Sequence, residues 1–456
     1  MKKIISLSLI LLVFVLSCSH EEDKSSENKP VVVEETNGKD ASVLSGYSSF
    51  EVDVTGAPYT ITDISDNTYR KSNGNYGFTP FIDFEINDDN TIDVLWLDKK
   101  ATTNAGRNIT RISLLNKNVV ENITIPNICN AKGSRFLGFC SLKNDDFVIG
   151  YSTKQNPSDQ IDSNAVYTRF DKVGKVKFTT TAFGAKEKKY NPGQASSSNV
   201  RYNKQADALG IYLGHNENGH QAGWIGFINA SNGNLLKDSK SATLGNGWYY
   251  SHNFDQRILV SSDNKFYTLA HGDAYSRALE IAKWSSDKGK EGNSLKYYDN
   301  IPGATGDNAT NTRTGNFIEL PNGNVAIVYC TENSRTKRDL KIVIVSGITS
   351  GTPTVLKETW ITNNTVNLVG WGMNLSLFGE NKILVGWNEF KDGVNPVGSR
   401  FVIADFGGNI VSKIEESTET IMNHNQAMKV TKDGKKVVFV SAGAGYKLKV
   451  NTIDIK

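Results

Sequence analysis

A strand–turn–strand unit recurs seven times in this 456-residue chain. That repetition restricts the possible folds more than any other feature. Each unit holds a short apolar run ending in an aromatic or similar residue, at Trp96, Tyr151, Tyr212, Ala270, Tyr329, Trp387 and Val440. Successive anchors are spaced by 53 to 61 residues. Six residues ahead of each anchor lies a turn position: Asn90, Asp145, Ala206, Asn264, Gly323, Asn381 and Gly434. Asn322-Gly323 and Asp433-Gly434 are the dipeptides that a two-residue hairpin favours, because both of its central residues need positive φ. A second alternating strand follows each run, as at 165–170, 278–284 and 340–345. Then come a turn marked by glycine or asparagine and a shorter, more polar strand.

Four antiparallel strands repeated at this period make the blades of a propeller. Seven copies predict an all-β, seven-bladed β-propeller over residues 46–456. The richness in glycine (40), tyrosine (17) and phenylalanine (20) against only 10 prolines suits many strands and tight turns. The seventh unit lacks a fourth strand before the chain stops. Residues 48–54 (SSFEVDV) alternate and precede the first unit, so they are expected to complete the last blade and close the ring. Closure removes the sheet edges that invite aggregation.

Ahead of the repeats, Met1-Lys2-Lys3 and an apolar run from Ile4 to Leu16 have the layout of a secretory signal peptide over residues 1–17. The run falls short of the roughly 20 residues that a membrane-spanning helix needs. It ends Val15-Leu16-Ser17-Cys18, which resembles a lipobox. That resemblance implies cleavage before Cys18 and a diacylglycerol on its sulfur, usually with a further acyl chain on the new amino terminus. Each buried CH2 contributes about 0.8 kcal/mol, so several chains anchor durably. The acidic cluster Glu21-Glu22-Asp23 resembles the lipoprotein export signal of Bacteroidota, which implies display on the outer face of the outer membrane. Residues 18–45 are then a lipidated cysteine and a flexible stalk, too poor in apolar residues to order themselves.

The 51 basic and 48 acidic residues nearly balance, which gives no electrostatic reason to expect nucleic acid. Cys129, Cys140 and Cys330 remain besides Cys18; a Cys129–Cys140 disulfide and free buried thiols are both open. No Cys/His metal spacing occurs. No cofactor is expected, and whether a metal is bound is left open.

In a propeller, the loops between second and third strands and those between blades emerge on one face, and such loops carry function. Binding candidates placed there are His215, His220, Tyr250, Asn253, Asp273, Arg313, Glu332, Trp371 and Glu389. The densest cluster is the fourth-unit hairpin, 251–257 (SHNFDQR) and 270–277 (AHGDAYSR). Its His–Asn…His arrangement resembles the histidine pair of propeller polysaccharide lyases of the ulvan type. The resemblance covers this hairpin alone. It implies His252 and His271 as base and acid, Tyr275 as a further acid, and Arg277 as the clamp on a uronate carboxylate. Histidine suits such work because its pKa lies near neutrality. Three functions remain: a surface propeller binding a glycan or an outer-membrane protein partner, a lyase on uronate-containing polysaccharide, and a structural subunit of an export or motility assembly. The absence of a complete catalytic set favours the first.

Overall fold

The computed structural model describes residues 42–58, 82–98, 107–125, 136–154, 164–184, 190–192, 198–217, 220–236, 247–251, 253–272, 278–298, 311–370, 372–391, 395–418, 422 and 428–455. They form seven antiparallel sheets in a ring, so the chain is a seven-bladed β-propeller. Blade 1 runs Ile82–Ile86, Thr91–Leu97, Arg107–Ser113 and Asn118–Ile123, each strand paired with the next. Blades 2, 4 and 5 repeat this order, starting at Phe136, Asn253 and Arg313. Blade 3 is built around a longer hairpin, Ala208–Glu217 with His220–Asn229. Its inner edge pairs with Tyr190–Pro192 and Ser198–Asn203, and its outer edge with Leu235–Leu236 and Gly247–Ser251. Blade 6 likewise splits its first strand into Leu368–Val369 and Asn374–Leu377.

The turns differ from expectation in one respect. Gly323 (φ 80°) and Gly434 (φ 72°) have positive φ, but Asn322 and Asp433 do not. Gly323 N–H donates to the Leu320 carbonyl at 2.9 Å. The turn is therefore a type I turn closed by one left-handed residue, a longer hairpin than a two-residue loop. Asn90, Asp145, Asn264 and Asn381 hold the same left-handed place in their blades, with Asn144 left-handed ahead of Asp145, and in blade 3 Asp207 is left-handed beside the expected Ala206. Asparagine and aspartate recur there because they tolerate positive φ better than other side chains.

Each sheet is apolar on both faces and packs against two neighbours. Seven hydrophobic clusters are found among the described residues, one between each pair of adjacent blades. This double burial explains why second strands such as Val325–Thr331 are buried throughout. Trp96, Trp224, Trp284 and Trp387 fill these interfaces, fully buried. Trp96 donates its indole N–H to Thr110 at 3.1 Å and Trp284 to Thr268 at 2.8 Å; a buried indole is retained where its N–H meets an acceptor.

The ring closes as the sequence predicts. Tyr47–Asp53 pairs with Lys447–Asp454 as the outer strand of blade 7, in a register running from Tyr47↔Ile453 to Asp53↔Lys447. The Ser48 and Thr452 hydroxyls are 2.8 Å apart, and the Tyr47 hydroxyl donates to Asn451 at 2.9 Å. A 3-10 turn, Val43–Gly46, leads into this strand, with Val43 already buried between blades 6 and 7. The Glu415 carboxylate of blade 6 clamps the turn, accepting from the Ser42 hydroxyl (2.5 Å) and the Val43 (2.7 Å) and Leu44 (2.9 Å) amides. Cys140 and Cys330 are buried free thiols, and burial pushes the Cys330 thiol up to about 11. Cys129 lies outside the described residues.

Candidate functional site

Among the described residues, several of the expected site side chains are turned into the scaffold. His271 is the last residue but one of the second strand of blade 4, Phe266–Gly272, and it is turned inward with 1% exposure. Its Nδ1 lies 3.0 Å from the Thr314 hydroxyl and 3.4 Å from Asp255 Oδ2, and its ring stacks on Phe254. Asp255 also accepts the Thr314 backbone N–H at 3.2 Å. A bulge between Phe254 and Arg257, with Asp255 at φ 51°, aims the carboxylate across to blade 5. The Asp255–His271–Thr314 group thus ties two blades together. His252, Asp273, Tyr275, Arg277 and Trp371 lie outside the described residues, as does Cys18.

Among the described side chains, His215, Asn253 and Glu389 are also committed to the scaffold. His215 lies within the long strand of blade 3, not in a loop, because that hairpin extends to Glu217 and His220. It is fully buried beside Phe183, and burial pulls its imidazole down to about 4. His220 begins the partner strand, opposite Glu217. Tyr250 pairs with Gly223 on the outer strand of blade 3, where the sequence reading puts it at the lead-in to blade 4. Asn253 is buried and accepts from the Tyr212 hydroxyl (2.8 Å) and Gln256 Nε2 (2.9 Å). Glu389 is buried within blade 6, 3.4 Å from Arg400 and accepting the Trp387 indole N–H at 3.4 Å. Half-buried Glu332 accepts from Asn311 Nδ2 at 2.6 Å. Arg313, half-buried, opens the first strand of blade 5 opposite Cys330.

The polar groups that do converge lie on the innermost strands, around the axis of the ring. Asp83 and Glu85 come from blade 1, Arg201 from blade 3, Arg257 from blade 4, Asn316 from blade 5, Asn374 from blade 6 and Lys429 from blade 7. Lys429 Nζ lies 2.8 Å from Glu85 and also donates to the Phe84 carbonyl, and Arg201 approaches Glu85 at 4.0 Å. Burial raises the Asp83 carboxyl to about 6, against the opposing pull of Lys429 and Arg201. Arg257 donates to the carbonyls of Gln256 (3.0 Å) and Thr314 (3.3 Å). Burial lowers its guanidinium to about 10; Asp255 opposes that and Arg201 adds to it.

A fixed spacing could have revealed part of this set. Asp83, Arg257, Asn316 and Asn374 each stand seven residues ahead of a left-handed turn residue: Asn90, Asn264, Gly323 and Asn381. The four positions are thus equivalent points on inner strands. Among the described residues no group of three or more histidine, cysteine, aspartate or glutamate side chains is placed to hold a metal.

No family model matches the chain, and no curated protein matches it. Solved structures do. A protein of unknown function from Dyadobacter fermentans is 11% identical, with 90% of this chain and 100% of that one covered at a TM-score of 0.44. One of unknown function from Bacteroides caccae is 11% identical, covering 68% and 90% at 0.36. An endo-arabinase from Bacteroides thetaiotaomicron is 13% identical, covering 56% and 92% at 0.30. The fold assignment rests on the seven sheets themselves.

Proposed function

We propose that this chain is an outer-membrane lipoprotein, anchored through Cys18 and displayed on the cell exterior, whose propeller binds a glycan or a protein partner. The observation that favours binding over lyase chemistry is the environment of His271. A general acid or base must reach the substrate proton within hydrogen-bond distance. His271 instead faces Thr314 and Asp255 inside the blade 4–5 interface, with 1% exposure. Anchoring and display rest on the amino-terminal sequence, where the lipobox and the acidic cluster stand side by side.

The test is a panel of neutral, uronate-containing and sulfated polysaccharides, scored both for binding and for the ultraviolet absorbance of an unsaturated lyase product. Saturable binding without product supports the reading. Product formation that His271→Ala abolishes while the fold is retained would replace it with the lyase.

A further inference from the structure

Eight large apolar side chains are exposed among the described residues, and four of them gather on one stretch of the outer rim. Leu115 is 88% exposed, Val120 55%, Val173 58% and Val176 41%. Leu115 sits in the turn ahead of the outer strand of blade 1, Asn118–Ile123, and Val120 lies on that strand. Val173 sits in the corresponding turn of blade 2, and Val176 begins the strand that follows, Val176–Gly184. The blade 2 turn packs on the end of the blade 1 strand: a Cβ on Gly174 would stand 2.3 Å from the Thr124 carbonyl oxygen and 3.2 Å from the Ile123 side chain. We propose that this rim is a membrane-contact surface that lays the propeller against the bilayer holding its lipid anchor. The inference rests on the anchoring through Cys18 proposed above and adds an orientation to it.

A single exposed apolar residue needs no explanation, but a group of them marks an interaction surface. Both turns have the composition that a bilayer surface accepts. Leu115 is followed by Asn116-Lys117, and Val173 stands between Lys172 and Lys175. An apolar tip enters the boundary between headgroups and acyl chains while flanking lysines stay at the phosphates. Lys117, Lys172 and Lys175 are exposed, and none of them is ion-paired with a described carboxylate. The carboxylates nearby are engaged. Asp171 accepts the Val173 (3.1 Å) and Lys175 (2.9 Å) amides, Glu121 lies 3.7 Å from Arg111, and Asp146 holds Arg169 and Lys177. The tips are also fixed in place before contact. Asp171 ties the blade 2 turn, and the Lys117 amide closes the blade 1 turn on the Ser113 carbonyl at 2.9 Å. Docking therefore costs little ordering entropy.

The course of the chain favours a bilayer over a protein as the occupant. Tyr47–Asp53, the strand through which the chain arrives from its anchor, runs beside Asn118–Ile123. Residues 19–41 span at most about 80 Å even when fully extended, so the rim stays within reach of the lipid that holds Cys18. A tethered surface meets its partner at a high effective concentration. A few apolar tips and lysines, too weak to recruit a free protein to a membrane, are then enough to set how an anchored one lies on it.

The experiment uses the full lipidated chain reconstituted into phosphatidylcholine vesicles, with or without phosphatidylglycerol, and a brominated phospholipid as quencher. Leu115→Trp puts a reporter on the rim. Leu356→Trp puts one on the outer strand of blade 5, Thr354–Trp360, at a side chain that is also exposed. The wild type supplies the background of native tryptophans, and circular dichroism checks that the variants fold. Flotation with the vesicles and the mass of the amino-terminal peptide establish the anchor separately. Emission from Leu115→Trp should shift to the blue on vesicles and be quenched by the brominated lipid about twofold or more beyond Leu356→Trp. Lys172→Gln combined with Lys175→Gln should reduce the gain from phosphatidylglycerol by about fivefold or more. Equal quenching at the two positions, or none at Leu115→Trp in a chain that floats, would overturn the contact surface and leave the anchor standing. A blue shift that grows with the number of chains per vesicle, without quenching by lipid, would assign the rim to a second copy and overturn the membrane contact. A chain that carries no lipid on Cys18 and does not float would overturn the anchor and the contact surface with it.

Discussion

Replacing Asp83 by asparagine should make the propeller more stable at neutral pH, although it removes a charge that faces Lys429 and Arg201. The carboxyl is 7% exposed, and burial lifts it from 3.8 to about 6 despite the two cations. Its folded pKa is therefore above the unfolded one. The folded state binds the extra proton between pH 4 and 6, and the advantage of the protonated form disappears as pH rises through 6. Above that, folding must carry a buried ionised group. At roughly 1.4 kcal/mol per pKa unit, the displacement corresponds to about 3 kcal/mol. That is a large share of the 5–15 kcal/mol or so that stabilises an ordinary domain. The assay is urea unfolding of the wild type and Asp83→Asn from pH 3.5 to 7.5. The variant should be more stable by about 3 kcal/mol at pH 7.5, and the two curves should converge near pH 3.5. His215 acts in the opposite sense over much of the same window. Its imidazole is lowered to about 4 by burial, so stability is lost as pH falls below 6.5. The difference between the two proteins, not either curve alone, therefore isolates Asp83. An asparagine variant less stable than the wild type at pH 7.5 would refute the reasoning. It would mean that ion pairing with Lys429 and Arg201 outweighs the burial of the carboxylate.

Two further outcomes follow from the ends of the chain. Deleting residues 48–54 removes six of the seven residues that the outer strand of blade 7 pairs with Lys447–Asp454, and the buried Val52 and Val54; thermal melting should fall by well over about 10 °C, and an unchanged midpoint would contradict strand closure. Cys18→Ala should move the protein from the membrane fraction to the soluble fraction on cell fractionation, and continued membrane association would sink the lipid anchor.

The ring was legible because its cause is periodic. Every blade buries both faces of its sheet, so apolar second strands such as Val325–Thr331 stand out in the sequence, and every first hairpin carries at least one left-handed residue. The closing strand was legible for the same reason, displaced by one residue. The polar candidates were less so, because a polar residue near a loop can equally be a tie within the scaffold. His271 and Asn253 bond across blade interfaces through partners distant in sequence, and Glu389 bonds within its own blade. Spacing alone does not show which way a side chain at a strand end turns. The bulge at Asp255, which aims its carboxylate at blade 5, has no composition that announces it. The axial charges Asp83, Glu85 and Lys429 were overlooked because each occurs once among apolar neighbours. Only the distance to the turn marks such positions, seven residues for Asp83 and five for Glu85 and Lys429.

The strand that closes the ring also decides how the molecule answers to tension. A pull on the chain ahead of Ser42 is met first by the Glu415 carboxylate, which ties Ser42, Val43 and Leu44 to blade 6. Behind that clamp, Tyr47–Asp53 lies antiparallel to Lys447–Asp454, with hydrogen bonds perpendicular to both strands. A load along the strand axis strains all of those bonds together in shear and cannot open them one at a time. Two blades share the load, and the terminus that completes the ring is also built to resist being drawn out of it.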